Sequence, residues 1–110
     1  MKRLDGKTAM ITGAARGIGL AFAKAYVREG ATVAICDINL EAAEAAATGI
    51  GRAAFAIRLD VTDQGSIEAA VKAVEERAGG IDILINNAAL FDLAPVVEIT
   101  RESYERLFSV

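Results

Sequence analysis

The chain has 110 residues and a formal net charge of −3, with 54% hydrophobic and 25% charged residues, which suits one soluble globular domain. The negative charge gives no electrostatic basis for a nucleic-acid partner, and the lack of histidine beside a single cysteine argues against a transition-metal site. No apolar run approaches the roughly 18 residues that a membrane-spanning helix needs, so we expect no membrane partner.

The first predicted strand leads directly into a glycine-rich segment. The apolar run Thr8–Ile11 precedes Thr12–Gly19, which reads T-G-x-x-x-G-x-G, and an amphipathic stretch from Ile18 to Arg28 follows. Glycines let a backbone approach a ligand closely, and a helix N-terminus offers free N–H groups and a positive dipole end to phosphates. The arrangement predicts a pyrophosphate site, and the alternative is a tight turn without a ligand.

The second predicted strand, Ala31–Cys36, ends at an acidic residue. Asp37 lies 18 residues beyond Gly19. In a βαβ dinucleotide-binding unit, an acidic residue at about this distance accepts hydrogen bonds from the adenosine ribose hydroxyls. The alternative is that Asp37 caps the next helix, which is predicted to begin near Asn39 or Leu40.

The only cysteine belongs to this second strand and bears on cellular location. Cys36 lies within an apolar run and is interpreted as a small buried hydrophobe. One thiol cannot form an internal disulfide, and Met1–Gly6 lacks the apolar core of a signal peptide. We therefore predict a cytoplasmic location.

Two further strands complete the pattern. Ala54–Leu59 leads to Asp60–Val61, and Ile81–Ile85 leads to Asn86–Ala89, each after a helical stretch. Strands that alternate with helices predict an α/β fold with a parallel sheet. Ligands of such sheets bind outside the carboxyl ends of the strands. Four polar or glycine residues fall at those ends: Gly13, Asp37, Asp60 and Asn87.

The helix boundaries have their own signals. The second helix is predicted over Glu41–Thr48, with Gly49–Gly51 ending it. Thr62 or Asp63 is expected to cap the third helix, and Gly79 with Gly80 to end it.

Three of these motifs resemble the N-terminal part of the short-chain dehydrogenase/reductase family. The family's T-G-x-x-x-G-x-G corresponds to Thr12–Gly19, its strand-end Asp-Val to Asp60–Val61, and its N-N-A-G to Asn86–Ala89, with Ala in place of the final Gly. The resemblance extends over essentially the whole chain. It implies a Rossmann-type doubly wound parallel sheet with strand order 3-2-1-4. More narrowly, Leu90–Pro95, with Glu98–Thr100 after it, resembles bacterial sorbitol and galactitol dehydrogenases.

The resemblance also implies a function and a set of site residues. It implies an oxidoreductase that oxidises a secondary alcohol of a polyol substrate by hydride transfer to NAD. Asp60 would accept a hydrogen bond from adenine, Val61 would contact it, the glycine turn would wrap the pyrophosphate, and the first Asn of N-N-A-G would tie strands together. The residues implied to contact the cofactor are Gly13, Arg16, Gly17, Ile18, Gly19, Asp37, Asp60, Val61, Asn87, Ala88 and Ala89.

Two of these residues favour different cofactors. The Asp37 carboxylate would meet the 2′-phosphate of NADP with like charge, which favours NAD. Arg16 is the counter-argument, because a basic residue just before Gly17 can hold that phosphate. We predict NAD from the direct contact that Asp37 would make.

The family's catalytic residues have no counterpart in this sequence. The family uses an Asn, a Ser and a Tyr-x-x-x-Lys pair, whereas four residues after Tyr26 and Tyr104 stand Gly30 and Phe108. In the family, the catalytic Asn follows a segment that resembles 106–110. We therefore predict that residues 1–110 are the dinucleotide-binding part of a Rossmann domain, truncated before the catalytic half, and that this chain alone is inactive. A helix is predicted to start near Thr100.

Three interpretations stay open. The chain is the nicotinamide-binding part of a polyol dehydrogenase, an autonomous half-Rossmann module that binds a nucleotide or merely folds, or another nucleotide-binding α/β protein such as a flavin or S-adenosylmethionine binder.

The order 3-2-1-4 would leave Asp82–Ile85 at one edge of the sheet. Because an apolar edge strand pairs readily with another chain, we predict a homo-oligomer, most simply a dimer that pairs two fourth strands antiparallel. The alternative is a partly folded monomer that is prone to aggregation.

Overall fold

The computed structural model describes residues 3–87 and, for the backbone, the strand 98–100. Strands and helices alternate along the chain until the fourth strand, and a fifth strand follows. The strands are β1 (Thr8–Thr12), β2 (Thr32–Asp37), β3 (Ala54–Arg58), β4 (Ile83–Asn86) and β5 (Glu98–Thr100). The helices are α1 (Gly17–Arg28), α2 (Leu40–Ile50) and α3 (Gln64–Ala78).

The five described strands form one sheet in the order β3-β2-β1-β4-β5. The first four strands are parallel, which confirms the predicted order 3-2-1-4. In the centre, Ile11 of β1 is paired with Ile35 of β2 on one side and Ile85 of β4 on the other. All five residues of β1 are buried, as expected for a strand with neighbours on both sides and helices over both faces.

The prediction that β4 forms an edge of the sheet is wrong. β5 pairs with it antiparallel, with Ile83 opposite Thr100 and Ile85 opposite Glu98. An edge strand exposes unpaired N–H and C=O groups, and a later segment of the same chain supplies partners for them. The predicted dimer contact through two β4 strands therefore loses its basis. The predicted helix after Thr100 lies outside the described residues.

Alternate residues of the strands supply two separate cores, one on each face of the sheet. One core includes Ile11, Val33 and Ile35 and packs under α1 and α2 through the buried alanines Ala23 and Ala43. Small residues at these positions let the helices lie close to the sheet.

The other core includes Met10, Ala34 and Leu84 and packs under α3. Cys36 belongs to it and is fully buried, as interpreted from the sequence. Burial, and then the charge of Asp37, raise the pKa of its thiol.

The helix ends follow local sequence signals closely. The side chain of Asn39 accepts from the N–H of Ala42 at the start of α2, and that of Asp63 accepts from the N–H of Gly65 at the start of α3. Gly79 ends α3 in the left-handed conformation, with φ 87°. α2 continues through Ile50, two residues beyond the prediction. The described helices are too short or too polar to cross a lipid bilayer.

Candidate cofactor site

The described residues among those predicted to bind a cofactor lie together at the carboxyl ends of the strands, because parallel strands end on the same side of the sheet. The glycine-rich turn follows β1 in the centre. Asp37 ends β2 beside it, and Asn87 follows β4 on the other side. Asp60 lies two residues after β3, where the N–H of Leu59 donates to the carbonyl oxygen of Asp37 at 3.0 Å. The structure thus brings four separate sequence signals to one place.

Glycine is required in the turn after β1 for two different reasons. Gly13 and Gly17 have φ values of 64° and 63°, in the left-handed region that other residues rarely adopt. At Gly19, a Cβ atom would overlap the carbonyl oxygen of Gly13 and lie 2.8 Å from Nδ2 of Asn87. The first two glycines therefore serve the backbone conformation, whereas Gly19 lets α1 start directly against the end of the sheet.

The N-terminus of α1 differs from those of α2 and α3. Its N-cap residue, Arg16, is extended and makes no side-chain cap, and the first turn holds no acidic residue. In contrast, Asn39 and Asp63 cap the other two helices with side-chain oxygens. The positive dipole end of α1 is thus not offset by a side chain of its first turn. Ile18, in the same turn, is 64% exposed, which leaves an apolar side chain beside the glycine turn.

Asp37 joins the glycine turn to the start of α2. Its Oδ2 accepts from the N–H of Ala15 at 3.3 Å, and its Oδ1 accepts from the N–H of Asn39 at 3.1 Å. The helix cap itself is Asn39, so the alternative that Asp37 caps α2 is wrong. Two backbone donors orient this carboxylate, and each oxygen still has capacity for a further donor.

Asp60 is fixed by the loop that precedes α3. Its Oδ1 accepts from the hydroxyl of Thr62 at 2.6 Å and from the N–H of Thr62 at 2.9 Å. These two bonds, the side-chain bond first, lower the pKa of Asp60, and Arg58 contributes in the same direction by its charge. The backbone N–H of Asp60 donates to Oγ of Ser66 at 2.9 Å. Val61 is half-buried against the core under α3.

The two asparagines after β4 have different partners. Asn86 accepts from the Thr12 hydroxyl through Oδ1 at 3.1 Å and so ties β4 to β1. Asn87 donates through Nδ2 to the carbonyl oxygen of Gly13 at 3.2 Å, which holds the glycine turn from the opposite side to Asp37. Ala88 and Ala89, which are also predicted to contact the cofactor, lie outside the described residues.

Sequence reasoning missed several residues that hold the site together. Ala15 and Ser66 act through contacts between segments that are distant in sequence, and nothing in their local sequence indicates this. The sequence predicts Thr62 only as a helix cap. A Thr two residues after an Asp is typical of a side-chain turn, so this signal was present in the sequence.

The site has the features that a dinucleotide requires. Gly13 and Gly17 give the turn its left-handed backbone, Gly19 lets α1 start directly against it, and no side chain caps the N-terminus of α1 there. Two carboxylates, Asp37 and Asp60, stand at neighbouring strand ends with acceptor capacity for hydroxyl and amino donors. The described residues therefore fit a dinucleotide at the carboxyl ends of these strands.

Comparison with known sequences places this chain in a family. A family model for the short chain dehydrogenases matches residues 7–110. The sorbitol dehydrogenase of Cereibacter sphaeroides is 73% identical over 108 residues, which cover 98% of this chain and 42% of the relative. The galactitol 2-dehydrogenase of Agrobacterium fabrum is 60% identical, with the same two coverages of 98% and 42%. The chain thus spans less than half the length of these relatives.

Comparison with solved structures gives the same fold. A 3-ketoacyl-(acyl-carrier-protein) reductase from Brucella melitensis, complexed with NADH, has 42% sequence identity and a TM-score of 0.72, and the match covers 74% of this chain and 33% of that one. A hydroxysteroid dehydrogenase from Escherichia coli has 40% identity and a TM-score of 0.73, over 76% of this chain and 37% of that one.

Proposed function

Because this chain belongs to the short-chain dehydrogenase family, we propose that it is the NAD(H)-binding part of an oxidoreductase that oxidises a secondary alcohol of a polyol such as sorbitol or galactitol. The observation that carries the cofactor role is the Asp37 carboxylate, which the N–H of Ala15 holds against the glycine turn at 3.3 Å. The polyol substrate rests on the 73% and 60% identity to a sorbitol and a galactitol dehydrogenase.

Different residues of this chain would contact different parts of the cofactor. Bound at this site, a nicotinamide dinucleotide would supply the acceptor for the hydride of the alcohol. The pyrophosphate would lie on Gly13, Gly17, Ile18 and Gly19, where the N-terminus of α1 donates N–H groups. Asp37 would accept from the ribose hydroxyls, and Asp60 and Val61 would contact adenine. Asn87, Ala88 and Ala89 would pass close to a ribose of the cofactor.

NAD rather than NADP is the proposed cofactor. A 2′-phosphate would lie against the Asp37 carboxylate, which both of its backbone donors hold in place. Arg16 is exposed and makes no capping bond, so it would have to reach over the turn to offset this repulsion. The NADH complex of the Brucella reductase supports a nicotinamide cofactor.

Binding measurements with Asp37→Ala test this assignment. Wild type should bind NAD more tightly than NADP, and the substitution should reduce that ratio by about tenfold or more, because like charges in contact are strongly unfavourable. Glu68→Ala is the matched control, because it removes an exposed carboxylate of α3. It should leave the ratio of NAD to NADP affinity unchanged. A wild-type preference for NADP would contradict the proposal.

The nucleotide-binding module without catalysis is the second candidate. Its support is the pairing of β5 with β4, which lets this chain cover the strand that would otherwise be an open edge. Neither tyrosine is followed by Lys four residues on, so no base is available in the family's manner to take the alcohol proton. We predict NAD binding without polyol oxidation by these 110 residues. NADH formation from sorbitol above a blank would contradict it.

Two further parts of the proposal concern assembly and location. A homo-oligomer is retained as a prediction, but its contact would not be the β4 edge, which β5 occupies. A cytoplasmic location stays a prediction that rests on the single thiol.

A further inference from the structure

The carboxylate of Asp60 is held from one side only. Both hydrogen bonds from Thr62 end on the same oxygen, Oδ1, at 2.6 Å from the hydroxyl and 2.9 Å from the backbone nitrogen. Two donors on one oxygen prevent the carboxylate from rotating freely about the bond to Cβ. The orientation of the second oxygen, Oδ2, is therefore determined by Thr62.

The backbone of Asp60 is fixed independently of its side chain. Its N–H donates to Oγ of Ser66 in the first turn of α3 at 2.9 Å, and its carbonyl oxygen accepts from the N–H of Asp63 at 3.1 Å. One residue earlier, Leu59 is buried and bonded to the end of β2. Since the main chain is anchored on both sides, loss of the Thr62 hydroxyl would change the side-chain orientation of Asp60 far more than its position.

A carboxylate oxygen is an acceptor only, so Oδ2 matches a donor on the ligand. Among the groups at position 6 of a purine, the exocyclic amino group of adenine is a donor, whereas the carbonyl oxygen of hypoxanthine is an acceptor and would meet the charge unfavourably. A fixed, ionised Asp60 would therefore distinguish these two bases.

We propose that Thr62 is a positioning residue of the nucleotide site, which turns the Asp60 carboxylate so that Oδ2 accepts from the amino group of adenine and rejects hypoxanthine. This inference rests on the proposed function, because it takes the adenosine end of a dinucleotide as the ligand. It goes further in assigning the choice of base to a residue that does not itself touch the ligand.

Titration calorimetry of the 110-residue chain with ADP and IDP tests the inference, since their bases differ only in the group at position 6 and in the hydrogen that hypoxanthine carries on the adjacent N1. Wild type should prefer ADP by about tenfold, the effect expected of one hydrogen bond to a charged group. Thr62→Val removes the hydroxyl, the closer of the two donors, at nearly constant volume and leaves only the backbone N–H on Oδ1; it should reduce the preference to about twofold or less. Thr62→Ser keeps the hydroxyl and should restore it.

Thr48→Val, the same change at an exposed position near the end of α2, is the control and should keep the wild-type ratio. The ratio of two affinities does not depend on the folded fraction, so a partly unfolded variant still reports it. If Thr62→Val keeps the wild-type preference, or Thr62→Ser loses it, the positioning role is wrong. If wild type binds neither nucleotide, the proposed function fails as well.

Discussion

Asn87 and Gly13 are 74 residues apart in sequence and joined by a 3.2 Å hydrogen bond from the side-chain amide to the carbonyl oxygen. The bond links the residue after β4 to the glycine turn after β1. Gly19 lies against both partners, with no room for a Cβ atom. The glycine turn is thus held on one side by the side-chain amide of Asn87 and on the other by the carboxylate of Asp37.

Gly19→Ala should disturb the turn at its tightest point. The new methyl would overlap the Gly13 carbonyl oxygen, and backbone cannot move aside as a flexible side chain can. We expect a loss of about 1–3 kcal/mol in the free energy of unfolding and much weaker dinucleotide binding. Gly49→Ala is the matched control, because Gly49 lies within α2 with open space around it. It should gain about 0.5–1 kcal/mol. Urea unfolding compares the two, and equal effects would contradict the close packing at Gly19.

Asn87 variants test the amide bond itself. Asn87→Ala leaves the Gly13 carbonyl without this donor and should lower the free energy of unfolding by about 1 kcal/mol. Asn87→Asp should be worse, because a carboxylate cannot donate and would face the carbonyl oxygen with like polarity. Both variants should also bind NAD more weakly. The order would reverse if the residue served only to fill space, which denaturant titration of the two variants would detect.

The pKa of Asp60 should report the two bonds from Thr62. They lower it below its ordinary value of 3.8, so the stability from this carboxylate is present above that pH and is lost as the pH falls through the folded-state pKa. Thr62→Val should move the titration upward, toward the ordinary value. Arg58 at the end of β3 also lowers the pKa of Asp60. Because Arg58 and the neighbouring carboxyls Asp37 and Asp63 are present in wild type and variant alike, the difference between the two reports the Thr62 hydroxyl. Carboxyl-carbon NMR measures the shift directly, and identical titrations would rule out the hydroxyl's contribution.

Removal of β5 should expose the edge that it covers. A chain that ends at residue 97 would leave β4 without its antiparallel neighbour, and open edge strands promote association between chains. We expect this shortened chain to sediment as larger species than the 110-residue chain at equal concentration. If both sediment alike, pairing with β5 does not control association.

Much of the fold could be predicted from the sequence, because its signals are local. Alternation of apolar runs with helical stretches predicts the parallel sheet, and the resemblance adds its order. Helix ends at Asn39, Asp63 and Gly79 are determined by side chains or backbone within four residues of the end. The T-G-x-x-x-G-x-G segment likewise identifies the turn, since its left-handed glycines are a property of the segment itself.

Tertiary structure decided the features that depend on residues far apart. Local sequence alone allows Asp37 either to cap α2 or to face the glycine turn. Its bond from the N–H of Ala15, 22 residues away, shows that it faces the turn. Asn87 is predicted to contact the cofactor, but no local signal indicates that its amide also donates to the carbonyl oxygen of Gly13. The sequence predicts β4 as an open edge, whereas β5 pairs with it in the structure. Each of these contacts involves a backbone N–H or C=O group. Because nearly every residue carries both groups, the sequence does not indicate which of them will be used. Only the path of the chain in space determines which of them meet.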